Sequence, residues 1–283
     1  MGKHFLEDFL NPESIAIYGA NNSGTGLGSV QLMNIILCGY KGTIYPIHLK
    51  LDSVLGYKAY KSIGEVPQIP DLVIIVLPPK VVPQVFKECG EKGVKYVILI
   101  SGGFRELSGE KENTYTEQIT QIPEVIYNLK ELTLLAAADL VLTKISEKIG
   151  LLSKLKFLII PNNKIKTLPE SIGKLHNLIQ LFLEHNELEV LPDSIGELEN
   201  LYKLFLHHNN LKSLPESMEN LTKLTELDLS YTPLEEVPEG ILSLPNLKYL
   251  SLPSEEVILP KSYLKKVKKR KESEHDIWYI RKD

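Results

Sequence analysis

The chain has 283 residues, 43% apolar and 24% charged, which excludes a disordered protein and is enough for two ordinary domains. A net charge of −4 and a pI near 6.0 exclude the global basic field that would recruit nucleic acid or an anionic membrane. Two cysteines, Cys38 and Cys89, have neither metal-ligand spacing nor the density of a disulfide scaffold. No charged leader with an apolar segment opens the chain, and no run approaches the ~18 apolar residues of a membrane span. A reduced, cytoplasmic setting is the expectation.

From Phe5 to about Arg105, short β-rich runs alternate with helix-like segments. The strand candidates are "SIAIYG", "GTIYPI", "DLVIIVLP" and "KYVILISGG". Between the first two, "LGSVQLMNIILCGY" places Leu27, Val30, Met33, Ile36 and Leu37 at helical spacing. Between the last two, Val82, Val85, Phe86 and Cys89 form a similar stripe. Apolar strands separated by helices predict a doubly wound, Rossmann-like α/β domain with a parallel sheet, assigned to residues 1–118.

The first strand runs into a glycine-rich loop, Gly19-Ala20-Asn21-Asn22-Ser23-Gly24-Thr25-Gly26-Leu27-Gly28. Glycines there let the backbone approach a phosphate, and the following helix N-terminus offers N–H donors. The loop departs from GxGxxG, so a tight turn without a ligand remains an alternative. The second strand discriminates among nucleotides. NAD-binding domains place an acid about 20 residues on to hold the ribose diol. Here "GTIYPIHLK" ends in Lys50, with no carboxylate before Asp52. A cation suits a phosphorylated ribose, which favours coenzyme A or NADP over NAD.

The blocks "FLEDFLNPESIAIYGANNSGTGLGSV", "GYKGTIYPIHLKLDSVLGYKAYKSIGEVP" and "PDLVIIVLPPKVVPQVFKECGEKGVKYVILISGGFRE" together resemble the N-terminal CoA-binding domain of NDP-forming acyl-CoA synthetases, shared by the succinyl-CoA synthetase α subunit. The resemblance covers about Phe5 to Glu106. It implies coenzyme A or acyl-CoA as the ligand. Gly19, Ala20, Asn21, Ser23, Gly24, Thr25, Gly26 and Gly28 would cradle its phosphates, and Lys50 would meet the phosphorylated ribose. The turns Leu77-Pro78-Pro79 and Ser101-Gly102-Gly103-Phe104 would flank the pantetheine arm. His48 and Leu49 depart from the family's Asn and Pro. The family's last strand should also stand where the repeats described next begin, leaving the sheet one strand short or its edge covered by the first repeat. The family's reaction requires a phosphohistidine domain and an ATP-grasp domain, and no histidine here, His4, His48 and His176 included, sits in such a context.

The second half repeats every 23 residues. Leu132, Leu155, Leu178, Leu201, Leu224 and Leu247 share one register; Ile122, Ile145, Leu168, Leu191, Leu214 and Val237 share a second. The pattern LxxLxLxxNxL resembles the leucine-rich repeat in its "LPxxIgxLxxL" form, with six units over residues 119–260. Each unit buries its leucines only against its neighbours. Asn163, Asn186 and Asn209 are expected to bond the adjacent coil at the turn, whereas Leu140, Thr232 and Glu255 occupy that position in the other units. Residues 261–283 carry seven basic and no acidic side chains between Lys261 and Lys271, expected as a solvated tail or a C-terminal cap.

On the concave face, the column between the strand leucines reads Ala136, Ile159, Phe182, Phe205, Asp228, Ser251. Its neighbours bring Glu184, His185, His207, His208, Ser230 and Tyr231 to the central units. Phe182, His185, Phe205, His207, His208, Asp228 and Tyr231 are therefore the candidate contacts for a protein partner. Metal binding by the three histidines is disfavoured, since a flat strand row seldom converges on one point. The expectation is a CoA-binding module joined to a protein-interaction surface, acting as a non-catalytic adaptor or sensor, with no metal, nucleic acid or membrane span involved. Two alternatives stand beside it. One is a subunit of an acyl-CoA ligase whose phosphohistidine and ATP-grasp domains lie on a partner; the other is an interaction protein with a degenerate, ligand-free α/β half.

Overall fold

The structure is a computed structural model that describes residues 11–23, 26–100, 120–253, 257–259, 267–272 and 275–281. The chain divides into two compact units. Pro123–Leu140 belongs with the residues before Thr120, whereas Thr120–Ile122 belongs with the residues from Val141 onward.

The first unit carries strands β1 (Ser14–Tyr18), β2 (Thr43–Ile47), β5 (Leu72–Ile75), β6 (Tyr96–Leu99) and β7 (Leu134–Ala136), with a small hairpin of β3 (Ser53–Val54) and β4 (Tyr57–Lys58). The sheet order is β7-β6-β5-β1-β2, and every adjacent pair is parallel. Strands of Ile, Val and Leu buried along their length produce this arrangement, because both faces of a parallel sheet need cover. Helices α1 (Leu27–Leu37) and α2 (Val82–Lys92) supply part of it. The stripe expected on α2 is buried in full: Val82, Val85, Phe86 and Cys89. The helix expected from the α1 spacing forms, with Leu27 and Ile36 partly buried against the core. Its buried face is Gly28, Ser29 and Leu32, while Leu37 is 81% exposed. The helix buries its small residues because its backbone approaches the sheet closely, and hydrophobicity alone does not report such a contact.

The 23-residue register begins inside this unit. Its first strand, β7, pairs with β6 through Tyr96↔Leu134, Val97↔Leu135 and Ile98↔Ala136, so the first repeat covers the β6 edge. The 3-10 turn at Glu124–Asn128 packs against α2, and a Cβ on Gly90 would lie 3.2 Å from Leu129 Cδ1, a tight fit that Leu129 would have to ease.

The second unit stacks β8 (Phe157–Ile159), β9 (Gln180–Phe182), β10 (Lys203–Phe205), β11 (Glu226–Asp228) and β12 (Tyr249–Leu252) as parallel neighbours. Between strands lie 3-10 turns at Glu147–Leu151, Glu170–Lys174, Asp193–Glu197 and Glu216–Asn220, and the short helix α3 (Glu239–Leu242). A proline begins most of these turns, since its fixed φ suits the first position and no N–H is needed there. Both anchor series are buried.

The asparagine ladder forms as the pattern requires. Asn186 Oδ1 accepts from Ile165 N–H at 3.1 Å, and its Nδ2 donates to Ile160 O and Leu183 O at 3.0 Å each. Asn209 repeats the motif on Leu188 N–H, Leu183 O and Leu206 O, and Asn163 accepts from Leu142 N–H. Beyond β12, where a tail or cap was the expectation, the backbone forms an antiparallel hairpin of β13 (Val267–Glu272) and β14 (His275–Arg281), with β14 paired to β12.

Candidate functional site

In the first unit the chain runs from β1 to β2 on one side, then crosses to β5 on the other. Loops leaving β1 and β5 therefore diverge at a switch point, where open parallel sheets bind ligands. Gly19 stands there with φ +86°, and a Cβ on it would lie 1.9 Å from Val76 O. Gly28, in the first turn of α1, presses on the same spot: its Cβ would lie 2.5 Å from the Gly19 carbonyl carbon and oxygen. Two glycines thus let the loop, the β5 exit and the helix start meet backbone to backbone.

Ser29 locks the loop. It accepts from Asn21 N–H at 2.9 Å and donates to Asn21 O at 3.0 Å, while Asn21 Oδ1 accepts from Ser23 N–H at 2.8 Å. Asn22 turns the other way, accepting from Leu55 N–H at 2.8 Å and donating to Ser53 O at 3.1 Å. It clasps the β3-β4 hairpin, whose turn residues Leu55 and Gly56 have φ of 49° and 87°. Among the described residues no side chain caps the helix start. Gly26 is the N-cap with no side-chain hydrogen bond, and no acid occupies the first turn. Uncapped N–H groups and the positive end of the helix dipole suit an anion.

Lys50 lies exposed on the loop after β2, and His48 explains its position. His48 Nδ1 accepts from Lys50 N–H at 3.1 Å and Leu51 N–H at 3.0 Å, closing the turn as a short amide oxygen does. The substitution of the family's Asn by His thus keeps the turn, and Leu49 is 81% exposed and packs on nothing that a proline would serve. Asp52, the nearest carboxylate in sequence, is taken by Lys61 at 2.8 Å, whose hydrogen bond and charge hold its carboxyl below the usual range. Lys50 keeps its charge free of an ion pair among the described residues.

Of the expected residues, Gly19, Ala20, Asn21, Ser23, Gly26 and Gly28 gather at this loop, and Leu77, Pro78 and Pro79 follow β5 at the same end of the sheet. Gly24, Thr25, Ser101, Gly102, Gly103 and Phe104 lie outside the described residues. Asn22 and Ser29 were missed; a serine following the last loop glycine was the available signal. The nearby titratable groups are chemically quiet. Burial, then Cys89 and Glu88, pushes the Tyr18 phenol far above its ordinary range; burial and then Glu88 push the Cys89 thiol up to about 12. Among the described residues no group of three or more His, Cys, Asp or Glu side chains is arranged to hold a metal.

In the second unit the concave face carries two ring ladders. Phe182 and Phe205 stack at 4.7 Å with planes 5° apart, and both are half-buried. His185, His208 and Tyr231 stack at 4.1 and 4.3 Å. These three, with Asp139 and Asn162, recur every 23 residues at φ of 53° to 56°, so the left-handed turn is a property of the repeat. Asn, Asp and His are the side chains enriched in that conformation, and Tyr231 is the unusual occupant. Between the ladders, His207 Nδ1 stands 3.4 Å from Asp228 Oδ2, outside hydrogen-bond geometry. Burial, offset by Asp228, keeps the His207 pKa below its ordinary value, and burial raises that of Glu184. All seven expected partner contacts lie on this face.

Residues 13–138 match the family model described as a CoA binding domain, a span that includes β7. Residues 143–227 match a leucine-rich repeat region, and 199–257 a leucine rich repeat. The alpha subunit of acetate–CoA ligase [ADP-forming] I of Pyrococcus furiosus is 42% identical over 120 residues, which are 41% of this chain and 26% of that protein. The 4-hydroxybutyrate–CoA ligase [ADP-forming] of Nitrosopumilus maritimus is 44% identical over 101 residues, 36% of this chain and 14% of that protein. The chain spans about a quarter or less of the length of these curated relatives. A solved leucine-rich repeat protein of Leptospira interrogans is 31% identical over 49% of this chain and 43% of its own, with a TM-score of 0.41. No helix among the described residues is long and apolar enough to cross a membrane.

Proposed function

From a chain that joins a CoA-binding domain of the acyl-CoA ligase kind to a leucine-rich repeat region, we propose a non-catalytic adaptor or sensor. Coenzyme A or acyl-CoA occupies the first unit, and the concave face of the repeats docks a protein. The observation that carries the first part is the approach of Gly19, Gly28 and the Val76 carbonyl at the switch point, beside an uncapped helix start. The residues present fit the ligand: backbone N–H groups and a helix dipole for its pyrophosphate, and unpaired Lys50 for its ribose phosphate. NADP shares that phosphate and is the competing ligand.

The ring ladders support the second part, because stacked aromatics on a strand face supply rigid contact area at low entropic cost. A second reading draws on the curated relatives: two are alpha subunits of ligases, so this chain would serve a ligase whose reacting domains lie on another chain.

Calorimetric titration with CoA, dephospho-CoA, NADP and NAD tests the ligand. CoA should bind about tenfold more tightly than dephospho-CoA, and Lys50→Ala should erase that difference by removing one charge-assisted contact. Silence from all four ligands would leave an interaction protein with a degenerate α/β half. If CoA binds, an assay for CoA- and ATP-dependent phosphoryl transfer with and without cell extract separates the adaptor from the ligase subunit.

A further inference from the structure

We infer that the groove between the two ring ladders receives a cationic side chain, an arginine or lysine of the protein partner, against Glu184 and Asp228. The inference rests on the reading that the concave face docks a protein, and it specifies that partner's chemistry.

The argument starts from the charges on this face. Lys203 and Glu226 neutralise one another at 2.5 Å. Glu184 and Asp228 have no lysine or arginine partner among the described residues. Asp228 Oδ1 is used within its own turn, accepting from Ser230 N–H at 3.0 Å and Ser230 Oγ at 2.7 Å. Its Oδ2 faces only His207 Nδ1. Glu184 Oε2 is withdrawn from solvent with no donor from another residue among the described ones, and its carboxyl is helped only by the backbone N–H of Glu184 itself. His207 is a poor resident cation, since burial favours its neutral form. Two carboxylates therefore share a half-buried row with no permanent counter-charge, close enough that Asp228 adds to the upward push on the Glu184 carboxyl.

Such a row discriminates among partners. An apolar segment laid over it would bury both carboxylates unpaired, which is strongly unfavourable, and an acidic segment would add repulsion. A cation supplies the missing counter-charge. The usual discount on an interfacial ion pair, desolvation of the charges, is reduced here because the fold has already stripped water from Glu184 Oε2. The Phe182–Phe205 stack adds a flat, electron-rich surface on which a guanidinium or lysine stem can lie. Lys203 Nζ already sits 5.9 Å from the Phe205 ring centroid, so the stack presents itself to cations within the protein.

The test pans a phage-displayed random peptide library on the full chain, with a Phe205→Lys variant, which sets a like charge against a cationic peptide, for counter-selection. Enriched peptides should share an arginine or lysine. Replacing it with citrulline or norleucine in the synthetic peptide should weaken binding at least about tenfold, as should the E184Q/D228N variant of the protein, with the two losses non-additive. Both substitutions are isosteric, and Glu184→Gln removes a poorly solvated charge, so folding is not at risk; amide protection across β9 and β10 of the same variant checks this independently. Enriched peptides that are neutral or acidic, yet depend on Phe182 and Phe205, would overturn the cation inference and leave the docking face standing. Cationic peptides indifferent to E184Q/D228N would overturn it as well. No enrichment over Phe205→Lys would remove the docking face together with the inference.

Discussion

Asparagine does opposite work in the two units. In the α/β unit, Asn21 and Asn22 each hold one particular piece of chain, the serines of the loop and the β3-β4 hairpin, and neither arrangement recurs. In the repeat unit, Asn163, Asn186 and Asn209 make one motif three times, each tying a turn to its neighbour. The first design concentrates specificity in a site that a single change can destroy. The second spreads it over a surface, where each unit leans on the next and a change is felt one repeat away. A point ligand suits the former and a broad partner the latter.

The largest expected effect tests the concentrated design. Gly19→Ala sets a Cβ against Val76 O at an unfavourable φ, so backbone must move. The first unit should lose roughly 3 kcal/mol or more and its CoA binding, while amide protection across β9 and β10 persists. Hydrogen exchange reads both, and an unchanged CoA isotherm would break the switch-point account. Next comes the distributed design. Asn186→Ala leaves Ile165 N–H without its acceptor and takes one of two donors from Ile160 O and Leu183 O, which keep Asn163 and Asn209, at a cost of about 1–3 kcal/mol. Asn186→Thr should recover part of the loss, because Thr232 at the equivalent position donates to Leu229 O at 2.8 Å. Urea midpoints of the two variants decide it; equal midpoints would mean that the ladder is not acting through its hydrogen bonds.

How much of this was legible in sequence follows the same division. The repeat anchors and the asparagine ladder were readable because a 23-residue period puts one residue type at one position again and again. The left-handed turn at His185, His208 and Tyr231 was not, because rings hide a conformation that glycine or asparagine would advertise. In the α/β unit the strands and the α2 stripe were readable from hydrophobicity. The fully buried face of α1 was not readable, because Gly28 and Ser29 are buried by backbone approach and hydrogen bonding. The β3-β4 hairpin went unread because Leu55, an apolar residue, occupies its first left-handed position.

A smaller effect sits on the lock of the loop. Ser29→Ala deletes the hydroxyl that holds both Asn21 N–H and Asn21 O, costing about 1 kcal/mol of stability. CoA affinity should fall further than that figure implies, since a loosened loop must be ordered again on binding. Paired melting and calorimetry separate the two; losses confined to stability would make Ser29 a packing residue only.

The smallest effect concerns the concave row and has a definite sign. Burial lowers the His207 pKa below about 6.5, so as pH falls the unfolded chain takes that proton first. Stability then declines from about pH 6.5 down to the folded pKa of His207. Glu184 acts in the opposite sense. Its folded pKa is raised, so the native state binds that proton first, and stability recovers as pH falls from the folded value toward the unfolded one. The two limbs make a shallow dip in the difference between wild type and variants. His207→Gln should flatten the upper limb and Glu184→Gln the lower one, each measured as the urea midpoint from pH 4 to 8 relative to wild type. Asp228 and His185 are the charges that tune His207, the first favouring its protonated form and the second opposing it, so Asp228→Asn should deepen the upper limb. If His207→Gln tracked wild type throughout, the burial that leaves Glu184 and Asp228 without a resident cation would be too slight to matter, and the row would be an ordinary solvated stretch of the repeat.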